Sequence, residues 1–127
     1  MSTIREGLIG TAETVVSEAN TAKTMKSGSL EVFATPAMCA LMEEAAVNAV
    51  QAELGEGETT VGTKLTITHD APTALGAVVS AKAEVLSVDN RCISFSVAAY
   101  EGDKVIGQGS HERFIINSER FMSKLGK

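Results

Sequence analysis

The chain has little of what would direct a protein out of the cell or into a membrane. No apolar run approaches the ~18 residues of a membrane span, and the N-terminus lacks the basic start and apolar stretch of a secretory signal. A cytoplasmic protein without membrane association is expected. The only two cysteines, Cys39 and Cys92, form no CxxC or Cys/His cluster. Neither a zinc site nor a disulfide is therefore expected, and both are predicted to be small buried residues.

Positive charge is also scarce. Eleven Lys and Arg stand against sixteen Asp and Glu, and the formal net charge is -5. This balance disfavours a large nucleic-acid surface, so no nucleic-acid partner is expected. It leaves open a local basic site for a phosphorylated ligand. The available mid-chain cations are Lys64, Lys82, Arg91, Lys104 and Arg113.

Apolar residues, in contrast, are plentiful. They make up 44% of the 127 residues, and only 21% are charged. A chain of this composition is expected to fold, and to bury further surface against a partner subunit. The length suits one domain with a core and is too short for two ordinary ones, so residues 1–127 are predicted to form a single domain.

The order of patterns predicts an α+β fold. A Thr- and Val-rich stretch, 10–19, reads as a first strand, and the polar segment 20–29 could be a lid. Thr35 precedes Pro36, which predicts an N-cap followed by proline in the first helical position. A stripe at spacings of three and four then predicts one helix that Gly55 and Gly57 stop. The stripe comprises Met38, Leu41, Met42, Ala45 and Ala49.

Four strand-like stretches follow the helix, separated by short turn-prone segments. Two separators are short enough for antiparallel hairpins, and a last stretch, 118–125, predicts one or two helical turns. A sheet of five antiparallel strands has a face that one apolar helix can cover. The predicted strands are roughly 59–70, 76–88, 91–101 and 104–116.

Three side chains suit acyl-transfer chemistry, and each has a plainer alternative. His69 ends a mainly apolar row, where an imidazole can exchange protons, although it could be structural. Thr35 could simply cap the helix, yet a helix start also stabilises developing negative charge. Glu43 borders the apolar stripe and could act as base or nucleophile, or could be a solvated helix residue. Arg113 could hold a phosphate or carboxylate, or form an ion pair within the sheet.

Four separated motifs together resemble the fluoroacetyl-CoA thioesterase family of hotdog proteins, over roughly residues 30–116. They are Val32-Phe33-Ala34-Thr35, Leu41-Met42-Glu43, Gly62-Thr63 through Thr68-His69, and Gly109-Ser110-His111-Glu112-Arg113. The resemblance implies a hotdog fold, in which a five-stranded antiparallel sheet wraps around one long central helix. It also implies a homodimer, with a tetramer left open, that binds acyl-CoA near the subunit boundary.

Position by position, the resemblance implies that Thr35, Glu43 and His69 are catalytic and that Gly62, Arg113 and Phe33 bind substrate. The chain departs from the family in two places. The family's fluorine-selective member has aromatic residues in a lid before the Val-Phe-Ala-Thr segment, whereas residues 26–29 contain none. Selectivity for fluoroacetyl groups is therefore not expected. Pro36 is the second departure, since it removes one backbone donor beside the threonine.

The expected function is hydrolysis of a small acyl-CoA by Thr, Glu and His, with no metal or other cofactor. Alternatives are a noncatalytic acyl-CoA-binding module and an enoyl-CoA hydratase of the same fold. Geometry leaves a further choice open, because eight residues of ideal helix rise about 12 Å between Thr35 and Glu43. Either regular helix begins after Pro36, or the site is completed across the dimer, or Glu43 acts on water.

Overall fold

The computed structural model describes residues 3–126, so Met1, Ser2 and Lys127 of the predicted single domain lie outside the described residues. Five strands and one long helix make up most of the fold, as the sequence predicts. Short 3-10 turns at Glu18–Asn20 and Gln51–Glu53 complete the connections. The elements are β1 (Ile9–Val15), α1 (Ala22–Met25), α2 (Thr35–Val50), β2 (Glu58–His69), β3 (Val78–Asp89), β4 (Cys92–Glu101), β5 (Lys104–Asn117) and α3 (Ser118–Leu125).

All strand pairs are antiparallel, and the order across the sheet is β1-β3-β4-β5-β2. Both predicted hairpins are confirmed. Each has a two-residue turn whose first residue has a positive φ, at Asn90 and at Gly102. Asn and Gly tolerate that backbone conformation better than other residues. Because β2 is at the end of the order, one of its backbone edges has no partner strand among residues 3–126.

Helix α2 lies against the sheet and contributes the predicted apolar stripe to the core. Its buried residues include every member of that stripe, together with Ala46 and Val50. β1 approaches the helix closely at Gly10, where a Cβ atom would collide with the backbone of Ala45 and Ala49. The small side chains of the helix and this glycine therefore let the sheet curl tightly around it.

The structure corrects the predicted start of the helix. Thr35 is itself the first helical residue, Ala34 is the N-cap, and Pro36 takes the second position. The hydroxyl of Thr35 therefore does not cap the helix and is free for another contact. The alternative in which regular helix begins after Pro36 is wrong.

A β-bulge in β2 changes which side chains lie on the same face of that strand. The register against β5 shifts between Gly62 and Lys64, so Thr63 is an extra residue. Simple alternation would put the side chains of residues 62 and 69 on opposite faces of the strand, but a bulge reverses the alternation beyond it. Thr60 is accordingly buried, and Gly62 faces the inner side with His69.

Three smaller predictions also change. β1 ends at Val15, short of the expected residue 19, because Ser17 starts a capped 3-10 turn. Cys39 and Cys92 are free but partly exposed instead of buried. The polar segment 20–29 contains α1, whose Ala22 N–H donates to the Val32 carbonyl at 2.8 Å. No helix within residues 3–126 is long and apolar enough to cross a membrane.

Candidate active site

The start of α2 and the end of β2 meet at a side-chain contact. Thr35 Oγ1 lies 2.7 Å from Nδ1 of His69, which is hydrogen-bonding distance. Backbone bonds hold the two segments together, since Phe33 N–H donates to the Thr73 carbonyl at 2.9 Å. The turn after β2 is fixed in the same way, with Asp70 N–H donating to the Ile106 carbonyl at 2.7 Å. The contact is therefore set by the backbone on both sides.

A cavity of about 290 Å³ opens beside this pair. Thr35 and His69 both line it, and so does the predicted substrate-binding residue Phe33, which is buried. Small side chains of α1 and of the turn after β2, including Ala22 and Ala71, form other parts of its wall. The hydroxyl and imidazole thus face a space that could hold a small group.

The environment of His69 favours a neutral ring. Burial lowers the pKa of His69 below its ordinary value of 6.5, and the neighbouring carboxylate of Asp70 opposes that shift. Nε2 of the ring is buried and has no hydrogen-bond partner among the described residues. A neutral imidazole beside a hydroxyl can accept its proton, which is the arrangement of a base and a nucleophile.

A second polar cluster surrounds Arg113 in β5. Its Nε donates to Thr60 Oγ1 at 2.8 Å, and its Nη2 donates to the Thr60 carbonyl at 3.1 Å. Nη1 donates to Nε2 of His111 at 3.1 Å and lies 3.6 Å from Glu43 Oε2. The buried guanidinium is thus held in one orientation, and its counter-charge is Glu43.

His111 supports Arg113 as a neutral ring of defined tautomer. Its Nδ1 lies 2.8 Å from the Lys64 carbonyl, which can only accept, so Nδ1 carries the hydrogen. Nε2 is then free to accept from Arg113. Burial lowers the pKa of His111 more than the bond to the Lys64 carbonyl raises it.

Thr60 and His111 of this cluster were not predicted as site residues. His111 shares a strand face with Arg113 two residues away, a signal that was available. Thr60 could not be found, because the bulge in β2 is invisible in the residue pattern.

Glu43 lies at the open side of the second cluster, with 43% of its side chain exposed. Gly62 makes room for it, because a Cβ atom there would stand 2.7 Å from Glu43 Oε2 and 3.2 Å from Arg113 Nη1. The predicted site residues Glu43, Gly62 and Arg113 are therefore brought together. The ion pair that Arg113 forms is with Glu43 of α2 and not with another residue of the sheet.

The two clusters do not meet within one protomer. Thr35 and Glu43 both belong to the regular helix α2, where eight residues separate them by about 12 Å. In β2, His69 pairs with Gly107 whereas Gly62 pairs with Arg113, so the clusters are at different positions along the sheet. Across residues 3–126, no group of three or more His, Cys, Asp or Glu side chains is arranged to hold a metal ion.

Residues 16–119 match the family described as fluoroacetyl-CoA-specific thioesterase. A fluoroacetyl-CoA thioesterase from Streptantibioticus cattleyicolor is 44% identical over 95 residues, which cover 75% of this chain and 68% of the relative. The structure is similar to that of a mutant fluoroacetyl-CoA thioesterase in complex with acetyl-CoA, with a TM-score of 0.88, 38% identity and 96% of each chain covered.

The fold alone is also shared with a hot-dog-like protein from Thermanaerovibrio acidaminovorans. The TM-score is 0.87 at 24% identity, over 96% of this chain and 90% of that one. The hotdog fold implied by the resemblance is thereby confirmed. With the family matched over most of its length, the chain belongs to the fluoroacetyl-CoA-specific thioesterase family, and the expectation of a thioester hydrolase is confirmed.

Proposed function

We propose that this protein hydrolyses a short acyl-CoA thioester at the Thr35–His69 pair. The observation that carries the proposal is the 2.7 Å contact between Thr35 Oγ1 and His69 Nδ1 beside the small cavity. In the tautomer with hydrogen on Nε2, the neutral ring accepts the Thr35 proton as the oxygen attacks the thioester carbonyl. The same proton then passes to the departing thiolate. Water releases the acyl group from Thr35 in the second half of the reaction.

The start of α2 supports the charge that develops on the carbonyl oxygen. Among residues 3–126, the N–H groups of Thr35 and Ala37 have no acceptor, and Pro36 has no N–H to offer. Such unpaired donors at a helix N-terminus, together with the helix dipole, stabilise an oxyanion. Each step uses side chains, backbone and water alone, so the proposal includes no metal or other cofactor. A cytoplasmic location remains a prediction.

The size of the cavity argues for a small acyl group. A volume of about 290 Å³ is at the low end for a ligand site, and part of it must hold the thioester itself. The similar structure in complex with acetyl-CoA is consistent with a two-carbon group. Residues 26–29 of the segment before α2 contain no aromatic side chain, so the proposal does not include selectivity for fluoroacetyl groups.

A homodimer would bring the two clusters into one site. β2 is an edge strand, and Leu65 and Ile67 on its inner face are only partly buried. Antiparallel pairing of two copies of β2 would satisfy the free edge. Centred between Leu65 and Thr66, it would place His69 of one protomer opposite Gly62 of the other. Glu43 of the second protomer would then reach the reacting centre of the first.

Glu43 is proposed to position and activate the water that releases the acyl group. Its carboxylate is half-exposed, yet its direction is fixed by the rigid guanidinium of Arg113. Arg113 is in turn bonded on both sides by Thr60 and His111, so it acts as a positioning residue. Of the alternatives for Thr35 and Glu43, the proposal therefore adopts a site completed across the dimer and a Glu43 that acts on water.

Thiol release from a panel of CoA esters tests the function. We expect turnover of acetyl- and propionyl-CoA, slower turnover of butyryl- and phenylacetyl-CoA, and no hydration of enoyl-CoA. His69→Ala should lower kcat by about 10²–10⁴-fold, because it removes the base. Thr35→Ser should keep part of the rate and Thr35→Val should lose it. The control is Thr11→Ala, an exposed threonine in β1.

Two outcomes of that panel would reject the hydrolase. Hydration of enoyl-CoA without thiol release would make the protein a hydratase. Tight binding of acyl-CoA with no turnover would make it a binding module.

The substitution Gly62→Ala tests whether the Glu43 cluster affects catalysis independently of protein stability. The added methyl would stand 2.7 Å from the end of Glu43 and 3.2 Å from both Arg113 Nη1 and His111 Cε1, with no backbone atom among these contacts. The half-exposed carboxylate should therefore move most, while the protein stays folded. We expect kcat to fall about tenfold to a hundredfold, with a melting temperature within about 4 °C of the parent. Ser87→Ala, an exposed position of β3 away from the proposed interface, is the control. An unchanged kcat would mean that Glu43 is not at the reacting centre.

Mixed dimers test whether the site crosses the interface. His69→Ala and Glu43→Gln are each expected to be inactive, but a mixed dimer would contain one intact site and one site with both changes. Random mixing of subunits should therefore restore about one quarter of the parental activity. A mixture of His69→Ala with Thr35→Val should restore nothing, because these residues belong to the same half-site. No recovery in the first mixture would place the whole site within one protomer.

A further inference from the structure

A second groove lies at the far end of β5, between that strand and α3. Its volume is about 240 Å³. Arg113 and Ile115 are buried toward α2, whereas Phe114 between them is 41% exposed, so the groove is on the outer face of the sheet. The side chains that form it are Arg91, Phe114, Asn117, Arg120, Phe121 and Lys124.

Three cations gather at this groove although the chain as a whole is acidic, with a formal net charge of -5. Arg120 and Lys124 are four residues apart on α3, so they project from the same face of the helix. Neither forms an ion pair with another residue in the described part of the chain. Arg91 lies 3.8 Å from Glu58 Oε2 and donates to the Ile115 carbonyl at 3.2 Å, which anchors it at the groove wall.

Two aromatic rings accompany the cations. Phe114 is 41% exposed and Phe121 is 37% exposed. An exposed pair of aromatic rings is unusual in a chain with only 4% aromatic residues, and it offers an apolar surface for a flat ring. Cations beside such a surface match a ligand that combines an aromatic base with phosphate groups.

We propose that this groove binds the phosphorylated adenosine end of the CoA substrate. The inference rests on the proposed function, and it adds a site for the part of CoA that does not react. Phe114 follows Arg113 directly, and it pairs across the sheet with Val61, the neighbour of Gly62 in the edge strand β2. In the proposed pairing of two β2 strands, residues 62–69 face the second copy and Val61 lies just outside, so a chain can leave the Glu43 cluster past Val61 and reach the groove on the outer face. The pantetheine arm of CoA is such a chain.

The test compares a complete substrate with one that lacks the nucleotide. In the full-length protein, Arg120→Ala combined with Lys124→Ala removes the two cations that form no ion pair. The ratio of kcat/KM for acetyl-CoA to that for S-acetylpantetheine should fall roughly tenfold to a hundredfold, because charge-assisted contacts to phosphate are lost. The change should appear in KM and not in kcat. Lys104→Ala, which removes one positive charge at the opposite end of β5, should leave the ratio unchanged.

Binding of adenosine 3′,5′-bisphosphate, measured by calorimetry, tests the nucleotide site independently of the proposed hydrolase activity. Saturable binding that the double variant weakens by a similar factor supports the groove even if no ester is hydrolysed. The double variant could instead remain active with an unchanged substrate ratio and unchanged nucleotide binding. That result would contradict the nucleotide site and leave the proposed hydrolase activity unaffected. A change in oligomeric state, seen by light scattering in place of a change in nucleotide binding, would also overturn it, because a second copy would then occupy the groove.

Discussion

The contact between Thr35 Oγ1 and His69 Nδ1 joins the first residue of α2 to the last residue of β2, at 2.7 Å. It forms because the backbone on both sides is tied down, by the bond from Phe33 to Thr73 before the helix and by the bond from Asp70 to Ile106 after the strand. A helix start supplies unpaired N–H donors, and a partly buried strand end supplies a neutral imidazole. The groups proposed as nucleophile, base and oxyanion donors therefore lie together where two regular elements terminate.

The proposed second half of the reaction depends on the ion pair between Glu43 and Arg113. Arg113 donates hydrogen bonds to Thr60 and His111 and also forms an ion pair with Glu43. The position of the carboxylate therefore depends on this network as well as on its own helix. Gly62 completes the arrangement by having no side chain. Since α2 keeps Glu43 and Thr35 apart within one protomer, the proposed function gives a role to the free edge of β2. Pairing of two such edges would assemble a site that neither copy holds by itself.

Much of this could be predicted from the sequence, because burial patterns follow simple periods. The stripe from Met38 to Ala49 identified the helix, and alternating strands with turns at Asn90 and Gly102 identified the hairpins. The bulge at Thr63 could not be predicted, since an extra residue leaves no compositional trace, and it hid the inward position of Gly62 and the role of Thr60. The cap was misassigned for a related reason: Thr35 is a good N-cap residue, but its hydroxyl is occupied by His69, a partner that only tertiary structure reveals.

The proposed mechanism requires a neutral His69 ring that can accept the Thr35 proton. The protonation state of the ring can be observed directly by nitrogen NMR of the imidazoles. The chain has only two histidines, so the spectrum of His69→Ala assigns both. The proposed mechanism requires that His69 carries its hydrogen on Nε2, and burial lowers the pKa of His69 below 6.5, whereas the bond to the Lys64 carbonyl puts the hydrogen of His111 on Nδ1. A His69 ring that is protonated on Nδ1 at neutral pH, or that titrates at or above 6.5, would contradict its role as the base for Thr35.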